Sequence, residues 1–518
     1  MPIVHTNRFW DYIINEPLSI INKAKEFLTK EDYDYQTKEK KSATYYQTVS
    51  KIEVDDIFYE TIRFPGGLYN WLANNLGISI DYKTPTFQEY EENDIIEHCQ
   101  EMTKINPAFE IRNYQVDAVL TSLNDFRSLI YSGVGSGKTS ILAIVCRILM
   151  NKNKILILND NNFILQQIYD RLISFNINNV SWEKSSEPDY SKQIIIMNTA
   201  GSDSRLNRKD EKYLNFLKND VNTVIYDECQ HVQSLTFFEP LLYINPDNLK
   251  HIIGYSGSPF RNHKKPFDDF DDFCTIAILG EPAFIYEMKT SIKENNIAQP
   301  YGYFINYKNK DAHVLPQFKD NYYMLYRANI TYNKARNTAG IEMLKFLDKY
   351  GIKTLASINN IKPGQARMKE LKKQGIKSLF ICGDETIYEW IKGPKGGLKL
   401  DKRKGDTETI KKAMSEEGYN IIFGSTVMDE GVDIDIFQAV VLWSAGKTPI
   451  SGIQRIGRAS RKKKNGQNVS FVIDFKDVGG NYIFWSQYEK RKQLMLDSGV
   501  KLFTNVLDFI QMIKDING

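Results

Sequence analysis

Short apolar runs alternate with longer amphipathic stretches through most of the chain after residue 106. Each run is nearly continuous in Val, Ile, Leu and Tyr, which is typical of parallel strands covered by helices on both faces. A first series predicts strands at residues 128–131, 154–158, 193–197, 222–226 and 251–255. We therefore predict an α/β domain built on a parallel sheet.

The alternation of apolar runs and amphipathic stretches is interrupted across residues 268–332, and a second series of the same kind follows. It predicts strands at residues 353–358, 378–382, 419–423, 439–443 and 469–475. The repeated strand–helix pattern predicts two tandem α/β domains of similar size, over residues 106–290 and 291–485. The remaining residues, 486–518, are predicted to form a helical tail.

Residues 1–105 lack this alternation and are rich in Tyr, Asp, Glu and Lys. Their clearest local signal is a Pro-Gly-Gly turn at residues 65–67 that leads into an apolar, helix-like stretch at 71–76. We predict a small α+β accessory domain over residues 1–105.

A Gly-rich, basic segment at residues 392–405 interrupts the second series between a predicted strand and a predicted helix. Two interpretations stay open for it. It is either a solvated surface loop or a mobile loop that contacts phosphates.

Composition narrows the class of protein further. The 518 residues carry 67 Lys and Arg against 64 Asp and Glu, a net charge of +3, which argues against a polybasic nucleic-acid coat but permits a local basic groove. No apolar run reaches the length of a membrane span, and the first ten residues lack the apolar core of a signal peptide. Five scattered cysteines without a Cys-x-x-Cys pair favour a reducing compartment. We expect a cytoplasmic protein without a structural zinc.

Candidate chemistry begins with a Gly-rich turn between the first strand and a helix, Ser-Gly-Val-Gly-Ser-Gly-Lys-Thr at residues 132–139. Glycines let successive backbone N–H groups point at a phosphate chain, and the lysine adds a positive charge for the terminal phosphates. The threonine hydroxyl can ligate Mg²⁺. The strict pattern has Gly where this chain has Ser132. The candidate nucleotide-binding residues here are Gly135, Ser136, Gly137, Lys138 and Thr139.

An acidic pair follows the fourth predicted strand of the first domain, about ninety residues after the phosphate loop. Carboxyl ends of parallel strands share one sheet edge, so Asp227 and Glu228 are expected beside the loop. Asp227 can hold Mg²⁺, and Glu228 can orient or deprotonate the water that attacks a γ-phosphate. An isolated Asp-Glu pair after a strand is usually a helix cap, but together with the loop it predicts a nucleotide hydrolysis site.

The second domain carries a second candidate element, the sequence Gly-Ile-Gln-Arg-Ile-Gly-Arg-Ala-Ser-Arg at residues 452–461. Arg458 and Arg461 lie three residues apart and so share one face of a helical turn. Phosphoryl transfer needs cationic groups that stabilise the transition state, which is the role we assign to them.

Four motifs in this order resemble the series found in superfamily 2 DExH-type helicases. They are Asp-Glu-Cys-Gln at 227–230, Ser-Gly-Ser-Pro-Phe-Arg at 256–261, Gly-Val-Asp at 431–433 and the segment 454–461. Within the superfamily the chain looks most like phage UvsW-type DNA helicases and the motor subunits of type III restriction enzymes. The resemblance implies two tandem RecA-like parallel-sheet domains.

The resemblance also implies roles for individual residues. Adenine recognition would fall to Arg112 and Gln115, and Gln230 would take part in catalysis from the place of the commoner His. Closure on ATP would involve Gly431, Asp433 and Gln454, with Arg458 and Arg461 as arginine fingers. Thr139 and Asp227 would hold Mg²⁺. Further matching positions are Thr199, Ser256, Ser258 and Ser425, whereas Asn159 and Asp160 stand where the family usually has Pro-Thr.

These observations predict an ATP- and Mg²⁺-dependent DNA helicase or translocase that binds duplex, forked or branched DNA mainly through its phosphate backbone. ATP would bind in a cleft between the two α/β domains. We expect a monomer with recombination or replication proteins as partners, in the host cytoplasm if the source is a phage. Three alternatives stay open: a restriction-system motor, an RNA helicase, and a nucleotide-gated binding module without translocation.

Overall fold

Alternate residues of the central strands face two different hydrophobic cores, as the two-residue period of a strand requires. In a computed structural model, Leu156 and Leu158 pack into one core while Ile155 and Ile157 pack into another. The structure describes residues 3–5, 10–13, 18–34, 39–54, 57–82, 89–133, 135–182, 187–261, 265–308, 321–358, 360–382, 386–393, 396–405, 407–425, 436–444, 455–457, 459–462, 468–478 and 482–517.

The chain divides into two compact units, which are described separately. The first comprises residues 1–132 and 137–286, and the second comprises residues 133–136 and 287–518. Among the described residues, no helix combines the length and apolar character that a membrane crossing needs.

The amino-terminal part of the first unit is a mixed five-stranded sheet with a short hairpin and two helices. Its elements are β1 (Ile3–His5), β2 (Trp10–Ile13), α1 (Leu18–Phe27), β3 (Thr29–Asp34), β4 (Glu39–Thr44), β5 (Gln47–Val54), β6 (Ile57–Pro65), α2 (Tyr69–Leu76) and β7 (Ile80–Tyr82). The sheet order is β5-β6-β2-β1-β7, and β3 pairs with β4. The observed α+β character agrees with the prediction. This part shares a core with the α/β part, because Leu72 packs in one cluster with Phe126 and Phe273.

The rest of the first unit is a seven-stranded parallel sheet with helices on both faces. Its elements are α3 (Glu92–Ile105), α4 (Asn113–Asn124), β8 (Arg127–Ser132), α5 (Lys138–Leu149), β9 (Lys154–Asn159), α6 (Asn162–Ser174), β10 (Val180–Ser181), β11 (Ile194–Asn198), α7 (Thr199–Asn207), α8 (Glu211–Asn219), β12 (Val221–Asp227), α9 (Leu235–Tyr243), β13 (His251–Ser256), α10 (Phe270–Leu279) and β14 (Pro282–Tyr286). The order is β10-β11-β9-β12-β13-β8-β14. All five predicted strands are present.

The second unit contains a nine-stranded mixed sheet, also covered by helices. Its elements are α11 (Met288–Lys293), β15 (Gln299–Ile305), α12 (Tyr322–Tyr326), a π-helical turn (Arg327–Thr331), α13 (Lys334–Lys349), β16 (Thr354–Ser357), α14 (Ile361–Lys373), β17 (Ser378–Cys382), β18 (Thr386–Lys392), β19 (Leu398–Lys404), α15 (Thr407–Ser415), β20 (Ile421–Gly424), β21 (Ala439–Leu442), β22 (Val469–Phe475), α16 (Tyr482–Asp497), β23 (Lys501–Phe503) and α17 (Val506–Asn517). The order is β19-β18-β17-β20-β16-β21-β22-β15-β23.

The second unit departs from the sequence predictions in two places. The basic segment 392–405, which is predicted to be a loop, instead contains strand β19, and β19 pairs antiparallel with β18 so that Leu400 lies opposite Trp390. The tail contains a short strand, β23, that pairs with β15 and separates two helices. All five strands of the second predicted series are present, so both α/β domains have the expected parallel core.

Candidate nucleotide-binding site

Parallel strands bring the predicted site residues of the first unit to one edge of its sheet. Strands β12, β13 and β8 are direct neighbours, and all three run in the same direction. Their last residues are Asp227, Ser256 and Ser132, and β9 on the other side of β12 ends at Asn159. Polar side chains at the carboxyl ends of parallel strands form the usual ligand-binding edge of such a sheet.

The phosphate loop leads directly into α5 through a left-handed glycine. Gly137 has φ +81° and is the N-cap of the helix, and Gly135 has φ +82°. A Cβ atom on Gly137 would lie 2.5 Å from Nε2 of Gln115, so only glycine fits this position. The free N–H groups and the positive dipole end of α5 make its first turn, with Lys138 and Thr139, suited to bind phosphate.

Gln115 and Arg112 lie at the start of α4, where they form the helix cap. The backbone N–H of Arg112 donates to Oε1 of Gln115 at 3.1 Å, and Gln115 is buried. The Nε2 atom of Gln115 lies next to Gly137, where it would collide with any added Cβ atom. The structure therefore brings Gln115 to the phosphate loop.

Tyr114, between Arg112 and Gln115, is not among the residues that the sequence predicts for the site. Nη1 of Arg112 donates to the Tyr114 hydroxyl at 2.9 Å. The Tyr114 ring stacks on that of Tyr286 with centroids 3.8 Å apart and 6° between the planes. Tyr114 stands between two predicted adenine-recognition residues, but nothing local in the sequence identifies Tyr286 as its partner.

Asp227 ends β12 as a buried carboxylate that keeps one oxygen available. Its Oδ1 has no hydrogen-bond partner among the described residues. Nδ2 of Asn159 donates to its backbone carbonyl at 2.7 Å, which fixes the end of the strand. Burial and the neighbouring Glu228 raise the pKa of Asp227 to about 7, opposed by Lys138. A buried, unpaired carboxylate oxygen is a fitting ligand for Mg²⁺, which would also restore its charge.

Glu228 adopts a strained backbone conformation that turns its side chain toward the lysine of the loop. Its φ of +51° and ψ of +54° place it in the left-handed region, which costs a non-glycine residue on the order of 1 kcal/mol. Its Oε1 lies 4.0 Å from Nζ of Lys138. Strain of this kind persists only where surrounding structure enforces it, and it is common at functional sites.

A chain of hydrogen bonds connects Glu228 to the end of β13. Nε2 of Gln230 donates to Oε2 of Glu228 at 3.2 Å, and the Ser256 hydroxyl donates to Oε1 of Gln230 at 2.6 Å. The backbone N–H of Ser258 donates in turn to the Ser256 hydroxyl at 3.0 Å. Because Gln230, Ser256 and Ser258 are buried, a displacement of Glu228 would be transmitted to the segment after β13.

Arg461 is the member of the predicted arginine pair that the structure describes. The preceding Ser460 hydroxyl donates to the backbone carbonyl of Ile456 at 2.9 Å and lies 3.2 Å from the Ser470 hydroxyl on β22. The backbone N–H of Ala298 donates to the Ser460 carbonyl at 2.7 Å. Burial lowers the pKa of Arg461 to about 10, so it stays cationic at neutral pH. The segment is thus fixed to its own sheet.

The structure does not give positions for four other predicted site residues of the second unit. Gly431, Asp433, Gln454 and Arg458 lie outside the described residues. In the first unit, the structure brings Gln115 to Gly137, and it brings Glu228 to Lys138 and Gln230.

Comparisons with known proteins identify the families that the two α/β parts of the chain match. Residues 108–261 match the family model for the res subunit of type III restriction enzymes, and residues 342–463 match the model for the helicase conserved C-terminal domain. A protein of Sulfolobus islandicus filamentous virus (isolate Iceland/Hveragerdi) assigned as helicase 22 is 24% identical over 394 residues. That alignment covers 71% of this chain and 64% of the viral protein, so the chain spans less than two thirds of that relative.

Two solved structures share the fold. Dbp5 of S. cerevisiae, bound to RNA and ADP BeF3, superposes with a TM-score of 0.54 over 81% of this chain and 97% of Dbp5, at 12% identity. A fragment assigned as an HsdR subunit of a type I restriction enzyme from Vibrio vulnificus YJ016 superposes with a TM-score of 0.51, at 16% identity. The superposition covers 92% of this chain and 80% of the fragment.

Proposed function

Because this chain belongs to helicase superfamily 2, we propose that it is a DNA helicase or translocase that couples ATP hydrolysis to movement along duplex, forked or branched DNA. The observation that carries the proposal is the buried chain of hydrogen bonds from Glu228 through Gln230 to Ser256. It gives an ATPase site a physical route by which hydrolysis can change the position of a neighbouring segment.

In this proposal residues 106–290 form the ATP-binding domain and residues 291–485 the second RecA-like domain. The phosphates of ATP bind at Gly135, Ser136, Gly137, Lys138 and Thr139, while Arg112 and Gln115 bind the base. Gly431, Asp433 and Gln454 act in closure on the nucleotide.

Thr139 and Asp227 are the residues that would hold Mg²⁺, on the evidence of the unpaired Asp227 oxygen. Bound there, the ion would neutralise charge on the terminal phosphates. Glu228 accepts a proton from the attacking water, and Gln230 keeps its carboxylate oriented through Nε2. Arg458 and Arg461 supply positive charge to the transition state.

DNA as the substrate has support from two sources. The Asp-Glu-Cys-Gln motif at residues 227–230 differs from the Asp-Glu-Ala-Asp form common in RNA helicases. The family model matched by residues 108–261 and the HsdR relative both belong to restriction systems, which act on DNA. The second candidate is an RNA helicase. The observation that favours it is the structural similarity to Dbp5, whose structure contains bound RNA. We expect the protein to act as a monomer in the cytoplasm, which is the host cytoplasm if the source is a phage.

Stimulation of ATP hydrolysis by different nucleic acids tests this proposal. Steady-state turnover would be measured with single-stranded DNA, duplex, a fork, a four-way junction and RNA at equal nucleotide concentration and one salt concentration, because phosphate contacts depend strongly on salt. We expect the largest increase, at least about tenfold, with forked or junction DNA, since a translocase hydrolyses ATP fastest on the substrate that it moves along. Stimulation by RNA alone would establish the RNA helicase instead.

A further inference from the structure

A group of exposed aromatic side chains lies on two segments of the second unit. One segment is α12 with the π-helical turn that follows it, and the other is the first turns of α16. Tyr323 and Tyr482 are 64% and 74% exposed, although large aromatic side chains are normally mostly buried. We name this group the aromatic platform; its members are Tyr322, Tyr323, Arg327, Tyr332, Tyr482 and Trp485.

The members of the platform contact one another. The guanidinium of Arg327 lies over the rings of Tyr323 and Tyr332, at 5.4 Å and 5.1 Å from their centroids. The rings of Tyr482 and Trp485 meet edge to face at 6.0 Å. Tyr322 connects the two segments, because it stacks on Phe484 and its hydroxyl accepts a hydrogen bond from Gln487 at 3.1 Å. The two segments that carry the exposed rings therefore pack against each other.

A buried ionic network connects α13, which follows the first segment, to α16, which carries the second. Nε of Arg336 on α13 donates to Oδ1 of Asp477 at 2.8 Å, and Nη2 of Arg491 on α16 donates to Oδ2 of the same aspartate at 2.9 Å. Arg491 also pairs with Asp474 at the end of β22. Nearby ionic partners hold the pKa of Asp477 below its usual value despite its burial. The helices next to the exposed rings are thus held in place, which lowers the entropic cost of ordering this surface when a ligand binds.

Charge on the platform suits a polyanion. Residues 321–334 contain Arg327 and Lys334 and no Asp or Glu, and residues 482–488 contain no charged residue at all. The exposed aromatic side chains of the same two stretches are Tyr322, Tyr323, Tyr332, Tyr482 and Trp485. Exposed rings with interspersed cations and no carboxylate are the composition of surfaces that stack bases of single-stranded nucleic acid.

The platform also lies at the ligand-binding edge of its own sheet. Directly after the first segment, Nη1 of Arg336 donates to the backbone carbonyl of Trp443, which follows β21, and the second segment follows the carboxyl end of β22. Ser425, which takes the place of a recognised motif position, follows the carboxyl end of β20 in the same parallel series. Ligands of open α/β sheets bind outside these strand ends.

We propose that the aromatic platform stacks the unpaired bases of a single strand, so that it holds one strand of the nucleic acid on which the protein acts. This inference rests on the proposed function. Stacking is tolerant of sequence because every base offers a flat face, which a motor that moves over any sequence requires. Arg327 contributes both a stacking plane and a charge for the neighbouring phosphate.

Binding of two matched oligonucleotides separates base stacking from phosphate contact. The probes are a fluorescein-labelled 20-nucleotide oligodeoxythymidine and an abasic strand of the same length, which keeps the phosphates and lacks the bases. Fluorescence anisotropy would compare the unaltered chain with Tyr323→Ala and Trp485→Ala. We expect each substitution to weaken binding of oligodeoxythymidine about tenfold and to leave binding of the abasic strand within about twofold.

Ring-retaining variants and an exposed tyrosine elsewhere are the controls. Tyr323→Phe and Trp485→Phe keep a stacking face and should bind oligodeoxythymidine within about threefold of the unaltered chain. Tyr243 on α9 is 43% exposed, and Tyr243→Ala should bind normally. A uridine oligonucleotide in the same assay shows whether the platform distinguishes RNA from DNA.

The outcomes distinguish failure of this inference from failure of the proposed function. Equal losses on both probes, or normal binding by Tyr323→Ala and Trp485→Ala, would overturn base stacking and leave the motor intact. If the unaltered chain binds neither probe and its ATP hydrolysis ignores nucleic acid, the proposed function itself fails.

Discussion

Replacement of Glu228 by Gln is expected to reduce ATP turnover by about 10²–10⁴-fold while the affinity for ATP stays nearly unchanged. The two side chains have the same size, so the turn and its left-handed backbone are preserved. Glutamine cannot accept the proton of the attacking water, and it presents no negative charge to Lys138, whose Nζ lies 4.0 Å from the present carboxylate. Single-turnover hydrolysis and equilibrium binding of a fluorescent ATP analogue would separate the two effects.

A matched substitution shows whether the loss of turnover is specific to Glu228 as the general base. Glu239 on α9 is a second glutamate of the same domain, and Glu239→Gln should hydrolyse ATP at the rate of the unaltered chain. If Glu228→Gln retained more than about a tenth of normal turnover, the assignment of the general base would be wrong.

Replacement of Arg461 by Ala is expected to slow hydrolysis by about 10³-fold or more, again with ATP binding largely retained. Burial has already removed much of the water around this guanidinium, which lowers its pKa to about 10 and strengthens its field on a developing negative charge. The hydrogen bonds of Ser460 to Ile456 and of Ala298 to Ser460 hold the position of the preceding residue. Rapid-quench measurement of phosphate release, with nucleotide affinity measured separately, checks the result.

Lys462 is the natural control, because it is the next residue and is exposed. Lys462→Ala should leave hydrolysis unchanged, and Arg461→Lys should recover only part of it, since an ammonium lacks the planar fork of the guanidinium. Normal turnover of Arg461→Ala would show that this residue only stabilises its own domain.

The sequence predicted the interior of both sheets because buried parallel strands are continuous apolar runs. Strand β12, with residues Val221–Asp227, is an example that composition alone identifies. Edge strands carry a weaker signal, since only one neighbour and one face are buried. For that reason β19, Leu-Lys-Leu-Asp-Lys-Arg-Lys, was predicted as a loop, and β23 was missed inside a tail expected to be helical.

The sequence motifs predict which residues form the candidate site, but they do not predict how the backbone and side chains of those residues are oriented. Lys138 and Glu228 were identified by their places after strands, and parallel strand ends account for their proximity. The left-handed backbone of Glu228 and the hydrogen bond from Ser256 to Gln230 depend on packing between β12 and β13. Tyr286 as the partner of Tyr114 required the fold, because their positions are far apart in the sequence.

Strand displacement from a labelled DNA fork, followed by native gel electrophoresis, tests the central claim most directly. The unaltered chain and Lys138→Ala would be compared with ATP, with ADP and without nucleotide. We expect displacement by the unaltered chain with ATP only, and none by Lys138→Ala, because the loop then lacks the charge that binds the terminal phosphates. Displacement that survives in Lys138→Ala, or ATP hydrolysis by the unaltered chain without displacement of any substrate, would contradict it.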